Sequence, residues 1–305
     1  MCPADASETF PEWDRNTRPP VPLPPPGSTD CQLHIFGDPT KFPPKPDTYY
    51  QPPDATFDDG RAMLRVMGFD RVVIVYPMPY GTDNRLLIDA LETADKPEDV
   101  RATCIVDDSV SDAELARLDA LGVVGARFNI GNWLGEDWHN KDSVRRSLER
   151  IREIGWHARL HVAGSDLLEY ADLLLDIQDL TMVIDHMGHL DFDLGLEQPA
   201  CRWILDRLKH DNWWMMVSNG NRCSSMDTGW HDAVPFGKAY IEAAPERIIW
   251  GSDWPHVRWR KTMMNDADEV ELFYRYIDTD PVLMQKILVD NPARLHGFGQ
   301  GSSKP

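Results

Sequence analysis

The sequence predicts a (β/α)8 barrel. Short β-rich apolar runs alternate with stretches of helical period about eight times over about 250 residues, the repeat count of that architecture. None of the strand runs leads into a GxGxxG turn, so the doubly wound open sheet is the less supported arrangement. With 305 residues, 42% hydrophobic and 27% charged, the chain has the length and balance of one large globular domain.

Residues 1–28 carry the proline-rich run PEWDRNTRPPVPLPPPGS. Proline lacks an amide donor and restricts the residue before it, so an extended arm lying on the domain is predicted. Residues 29–298 are predicted to form one barrel domain, and residues 299–305 a flexible tail. The strand candidates are 29–36, 71–76, 100–106, 122–129, 157–162, 180–185, 213–218 and 247–253. Each is apolar and rich in β-branched or aromatic residues. The helix candidates are 59–66, 83–93, 112–118, 142–154, 165–175, 200–209, 231–244 and 266–277, each with apolar residues at helical spacing. A short helix at 281–288 follows. Asp83, Asp112 and Ser165 precede or begin helical runs and are the expected caps.

Lys and Arg total 31 against 50 Asp and Glu, a formal charge of −19. Such a chain repels phosphate backbones, and no basic patch compensates, so a nucleic-acid partner is not expected. A small anionic substrate remains compatible, because a cleft can be locally positive. No apolar run approaches the roughly 18 residues of a membrane helix, and no signal peptide is visible. Five scattered cysteines form no CxxC pair. A cytoplasmic protein with reduced thiols is expected. The oligomeric state stays open, and a homo-oligomer is compatible with the Trp and Met residues near the rim.

In a barrel, chemistry belongs at the carboxyl ends of the strands. Gln32 and His34 close the first run on one face, two residues apart. Arg127 and Asn129 end the fourth, and His161 the fifth. Asp185 and His186 follow the sixth, Asn219, Asn221 and Arg222 the seventh, and Asp253 ends the eighth. Each has a plain structural alternative. A strand-end His is more often a hydrogen-bonded structural residue than a catalyst. Asp185 and Asp253 are also suited to capping loops, and Arg127 to a buried ion pair. Convergence on one rim favours function, because accidents scatter over both ends. Six tryptophans, Trp133, Trp138, Trp213, Trp214, Trp254 and Trp259, offer an aromatic clamp or, more commonly, packing.

DCQLHIFGDPTKFP, IDHMG and IWGSDWPH resemble the first-, sixth- and eighth-strand signatures of the amidohydrolase superfamily. Within it, FPPKPDTYYQPPDA, VVIVYPMPYGTDN and GARFN are similar to the 2-pyrone-4,6-dicarboxylate hydrolases, which open a dicarboxylated pyrone lactone. The resemblance implies a distorted (β/α)8 TIM barrel and a lactone hydrolase of aromatic catabolism. It assigns Asp253 as the general base, and His34 and His186 to the lactone carbonyl. Arg127 and Arg222 are assigned to substrate carboxylates, and Tyr50 and Thr82 to substrate contact. This chain departs from the pattern. Gln32 stands where HxH begins, His161 replaces a fifth-strand tyrosine, and His189 replaces an arginine. The expected basic residue is absent from 129–138.

Chemically, Asp253 can deprotonate water, while His34, His161 and His186 can donate to the oxyanion. Arg127 and Arg222 can grip carboxylates bidentately. Gly81 would let the backbone approach the ligand, with Thr82 supplying a hydroxyl. Gln32, His189 and Asn219 complete the expected substrate contacts. No cofactor is expected, since Gln is a weak ligand compared with imidazole. The alternative is zinc or manganese on His34, His161 and Asp253. The expected partner is a small carboxylated lactone. A metal-dependent decarboxylase of an aromatic or muconate-type acid, a lactone isomerase and a non-catalytic binder are the competing readings.

Overall fold

The computed structural model describes residues 10–46, 48, 50–131 and 141–299. All eight predicted strands are present: β1 (Thr29–Leu33), β2 (Arg71–Val75), β3 (Val100–Cys104), β4 (Val123–Asn129), β5 (His157–His161), β6 (Met182–Ile184), β7 (Trp213–Met216) and β8 (Ile248–Ile249). They run parallel in sequential order. Val72–Val75 of β2 is wholly buried, as expected for a strand with packing on both faces. Apart from β4, the observed strands are shorter than the apolar runs at their carboxyl ends, where the chain leaves the sheet to build loops.

The last strand closes on the first. Cys31 N donates to Trp250 O at 3.0 Å, Asp253 N to Gln32 O at 2.8 Å, and His34 N to Trp254 O at 2.9 Å. Gly251 permits this seam. A Cβ there would lie 2.5 Å from the Cβ of Gln32 and 2.6 Å from its amide nitrogen. The two carboxyl-terminal strand ends that carry Gln32, His34 and Asp253 are thereby held side by side.

Helices separate the strands: α1 (Phe57–Met67), α2 (Arg85–Glu92), α3 (Asp112–Ala120), α4 (Lys141–Glu153), α5 (Gly164–Glu169), α6 (Ala171–Asp176), α7 (Pro199–Arg207), α8 (Gly220–Cys223), α9 (Val234–Ala243), α10 (Asp266–Tyr276), α11 (Pro281–Gln285) and α12 (Asn291–His296). The caps differ in part from expectation. Asp83 does accept from Arg85 N at 3.2 Å. The cap of α3 is Ser111, which accepts from Glu114 N, whereas Asp112 is the first helical residue. Ser165 lies inside α5, whose N-cap position, Ala163, offers no side-chain oxygen. Thr56 with Asp59, and Asn265 with Asp268, form reciprocal capping boxes. The helix expected over 165–175 divides at Tyr170 into α5 and α6. The helix expected over 281–288 continues through a π turn at Lys286–Asp290 into α12, which lets Asn291 Nδ2 donate to Ile248 O at 2.7 Å and Pro245 O at 2.9 Å.

Residues 10–28 form an extended chain. Trp13 packs edge-on against Trp254 at 4.9 Å, and Arg18 pairs with Asp268 and Glu271 of α10. Among the described residues, Cys31, Cys104, Cys201 and Cys223 are free thiols. Among the same residues, no helix is long and apolar enough to cross a membrane. Cys2, Trp133 and Trp138 lie outside the described residues, as does most of 129–138.

At the amino-terminal end of β5, His157 packs 5.1 Å from His296, both buried. Burial, reinforced by Arg159, pushes the His157 pKa down to about 3. An unfolded histidine titrates near 6.5, so the stability that depends on neutral His157 is complete above that pH. It is lost as pH falls towards 3, at about 1.4 kcal/mol per pH unit. We expect His157→Gln to be less sensitive to acid than the parent between pH 6.5 and 4. Parallel unfolding-temperature profiles for the two proteins over that range would contradict this.

Candidate active site

The carboxyl ends of the strands surround a cavity of about 160 Å3. His34, Tyr50, Arg127, His161, His186, His189, Asn219, Arg222 and Asp253 all line it. Nine of the eleven residues expected from sequence therefore face one space. Two do not. Thr82 is exposed and off the cavity wall, because the turn at Met78–Tyr80 and the positive φ of Gly81 carry the chain outward. Its carbonyl instead accepts from Asn84 Nδ2. Gln32 is wholly buried beneath the cavity and is part of its floor, not a wall contact.

Asp253 stands at the centre of the polar contacts. Its Oδ1 lies 3.2 Å from His34 Nε2, 3.6 Å from His186 Nε2 and 3.4 Å from Gln32 Nε2. Its Oδ2 accepts from Asn219 Nδ2 at 2.8 Å and from Arg222 Nη2 at 3.4 Å. Burial opposes ionisation, but the Nε2–H of His186, the Asn219 amide and the Arg222 guanidinium favour the charged form and hold this carboxyl well below the usual range. Asp253 is not a mere cap of the turn after it.

The imidazoles are ordered by what holds their far nitrogens. His34 Nδ1 donates to Val75 O at 2.6 Å, and His161 Nδ1 donates to Asn129 Oδ1 at 2.6 Å. In their neutral forms both therefore present a bare Nε2 inward, suited to accepting a proton. His186 is the reverse. Its Nδ1 accepts from Asn219 Nδ2 and lies 2.9 Å from Ser218 Oγ, so the proton sits on Nε2. Of the three histidines expected to donate to an oxyanion, His186 is the one arranged to do so while neutral. Burial, with Arg127 nearby, keeps His161 neutral. Burial keeps His186 neutral against the pull of Asp253, and burial with Arg222 lowers His189 to about 3.

Arg127 is in a buried ion pair and also reaches the cavity. Its Nε lies 3.6 Å from Asp185 Oδ2, and the residue lines the cavity. Arg222 rests on the Trp259 ring at 5.2 Å and donates to Val257 O. Trp259 is thus a wall residue, whereas Trp213, Trp214 and Trp254 are buried in packing. Sequence reasoning missed the loop after β8. Arg258, Arg260 and Lys261 also line the cavity, and Lys261 Nζ is braced on Asn221 O and Ser224 O. Their signal was the basic cluster RWRK, which follows WPH after one valine. Among the described residues, the cavity wall carries five Lys or Arg side chains against the single carboxylate of Asp253, the balance of an anion-binding site. His186, His189, Asn219 and Asp253 hold left-handed backbone, with φ of 53°, 45°, 58° and 60°.

The metal set expected as the alternative is not assembled. Among the described residues, the three whose ligand atoms approach within 4.8 Å of one another are His161, His186 and His189, and His34 and Asp253 are not part of that group. At the first strand the donor chemistry does not fit a metal, because the Gln32 oxygen is engaged by Arg159 and its amide N–H groups face the site. The three imidazoles alone suit zinc. They contain no carboxylate, and Arg127 and Arg222 add positive charge beside them.

A closed parallel barrel whose strand ends gather an ionised carboxylate, neutral imidazoles and cations is the architecture of a hydrolytic barrel enzyme. The chain belongs to the amidohydrolase family, whose model matches residues 29–298. It is 34% identical to a 2-pyrone-4,6-dicarboxylate hydrolase of Comamonas testosteroni, covering 93% of this chain and 95% of that one. It is also 34% identical to a 4-sulfomuconolactone hydrolase of Rhizobium radiobacter, over 90% and 91% of the two chains. A crystal structure from Pseudomonas putida, assigned as a 2-pyrone-4,6-dicarboxylic acid hydrolase, superposes with a TM-score of 0.77 at 31% identity. That match covers 90% of this chain and 98% of the other.

Proposed function

We propose that this protein hydrolyses a carboxylated lactone, using Asp253 as the base and no metal. The observation that carries the reading is the Asp253 carboxylate on the wall of a cavity whose other charged wall residues, among the described residues, are cations. Arg127 and Arg222 bind the acidic substituents and orient the ring. Asp253 removes a proton from water, and the hydroxide adds to the lactone carbonyl. The Nε2–H of His186 and the neighbouring guanidinium groups stabilise the oxyanion. Collapse breaks the bond to the ring oxygen, which takes the proton back from Asp253. The product is a hydroxy- or keto-acid that leaves as an anion. His34, 3.2 Å from Asp253, can share the proton while it is stored. Relatives that hydrolyse lactones with acidic substituents support this substrate class.

A second reading is a metal-dependent reaction such as decarboxylation, favoured by the His161, His186 and His189 group. One experiment separates the two. A panel of pyrone carboxylates and muconolactones is assayed by loss of ultraviolet absorbance, with and without chelator, alongside metal analysis of the purified protein. Turnover of at least one lactone, unchanged by chelator and without stoichiometric metal, is the expected result. Stoichiometric zinc or manganese with chelator-sensitive activity establishes the second reading instead.

A further inference from the structure

Arg159 is wholly buried at the base of the site and takes no part in the proposed chemistry. On β5 it lies two residues before His161 and therefore on the same face of the strand. Each of its guanidinium nitrogens is engaged. Nε donates to Asp185 Oδ1 at 2.6 Å, Nη1 donates to Cys31 O at 2.9 Å, and Nη2 donates to Gln32 Oε1 and lies 3.0 Å from Met216 Sδ. Asp185 in turn is wholly buried and lies close to Arg127.

The consequence falls on Gln32. A carboxamide has one acceptor end and one donor end, and in isolation either can face the catalytic carboxylate. Here the acceptor end is bound by a cation. The nitrogen is therefore turned towards Asp253 Oδ1, His34 Nε2 and His186 Nε2, each at 3.4 Å. His34 Nε2 and Asp253 Oδ1 are both acceptors when the imidazole is neutral, so the two N–H groups of Gln32 have two matching partners. A flipped amide would place its oxygen against the Asp253 carboxylate and the His34 lone pair, with His186 Nε2–H as its one matching donor, and would turn its NH2 towards the Arg159 guanidinium.

We propose that Arg159 is a positioning residue that fixes Gln32 as an N–H donor to the Asp253–His34 pair, so that Gln32 orients the base. The inference deepens the lactone-hydrolase reading and rests on it for its kinetic test. Lysine supplies the charge that Asp185 requires, but its single ammonium cannot serve Asp185, Cys31 and Gln32 in one plane.

The test is a kinetic cycle of Arg159→Lys, Gln32→Met and the double variant, with the folded state of each checked by thermal unfolding. Each single change is expected to lower kcat about 10-fold with little change in KM, and the double variant should be no slower than Gln32→Met. Gln32→Glu keeps the acceptor for Arg159 and removes the donor, and it should lose at least as much kcat. Multiplicative losses in the double variant, or wild-type kcat in Gln32→Glu, overturn the proposal. An activity-independent measurement separates this failure from failure of the reaction assignment. The side-chain NH2 of Gln32, followed by 15N NMR, should exchange with solvent on the order of 100-fold more slowly than an exposed glutamine, and Arg159→Lys should abolish that protection. Protection without turnover of any lactone refutes the reaction assignment alone. An unprotected Gln32 amide refutes the positioning role.

Discussion

Asp253→Asn is expected to reduce kcat by about 10^3-fold or more while the protein stays folded. An amide cannot accept the water proton, and burial beside Arg127 makes the bare Nε2 of His161 a poor substitute base. His34 presents a bare Nε2, but that nitrogen lies against Asp253 itself, 3.2 Å from Oδ1. The substitution removes a charge that His34, Asn219 and Arg222 all address, so new contacts around residue 253 are also expected. Asparagine keeps the size, and its oxygen can still accept from Asn219. Folding is checked by the unfolding temperature, and turnover by a single-turnover assay with excess enzyme. Near-normal turnover in a folded variant removes Asp253 from the base role.

Arg222→Met should cost about 10- to 100-fold in kcat/KM, chiefly through KM, because a charge-assisted contact to a substrate anion is lost. A second effect has a defined sign. Arg222 helps hold Asp253 ionised, so its removal raises the pKa of the base. The base must be unprotonated to act, and the acid limb of the kcat/KM profile should therefore move to higher pH. Methionine preserves contact with Trp259, so loss of packing is small. A profile and KM identical to the parent's would mean that Arg222 serves the loop alone, through Val257 O and the Trp259 ring.

Much of the barrel was legible because a strand buried on both faces must be apolar along its whole length. RVVIVY and WWMMVS announce themselves in that way. The polar rim was legible for the complementary reason, since His34, His161 and Asp253 interrupt such runs at their carboxyl ends. What stayed hidden depends on distance between elements. Arg159 reads as an ordinary polar residue in HARLH until β1 and β6 are placed beside it. The direction of each imidazole depends on Val75, Asn129 and Asn219, which are remote in sequence. Thr82 was misplaced because a single glycine turn decides which way the next residue faces. Asp112 was expected to cap α3, but the adjacent Ser111 does so, and only backbone dihedrals separate the two.

His186, His189, Asn219 and Asp253 are held in left-handed backbone that side-chain-bearing residues visit at a penalty, on the order of 1 kcal/mol each. Selection for heat tolerance alone would drift towards glycine at these places and erase the machinery with it. The mouth of this barrel is therefore where durability and turnover pull in opposite directions. Hardening the enzyme for use belongs at the opposite end of the molecule and along its outer helices.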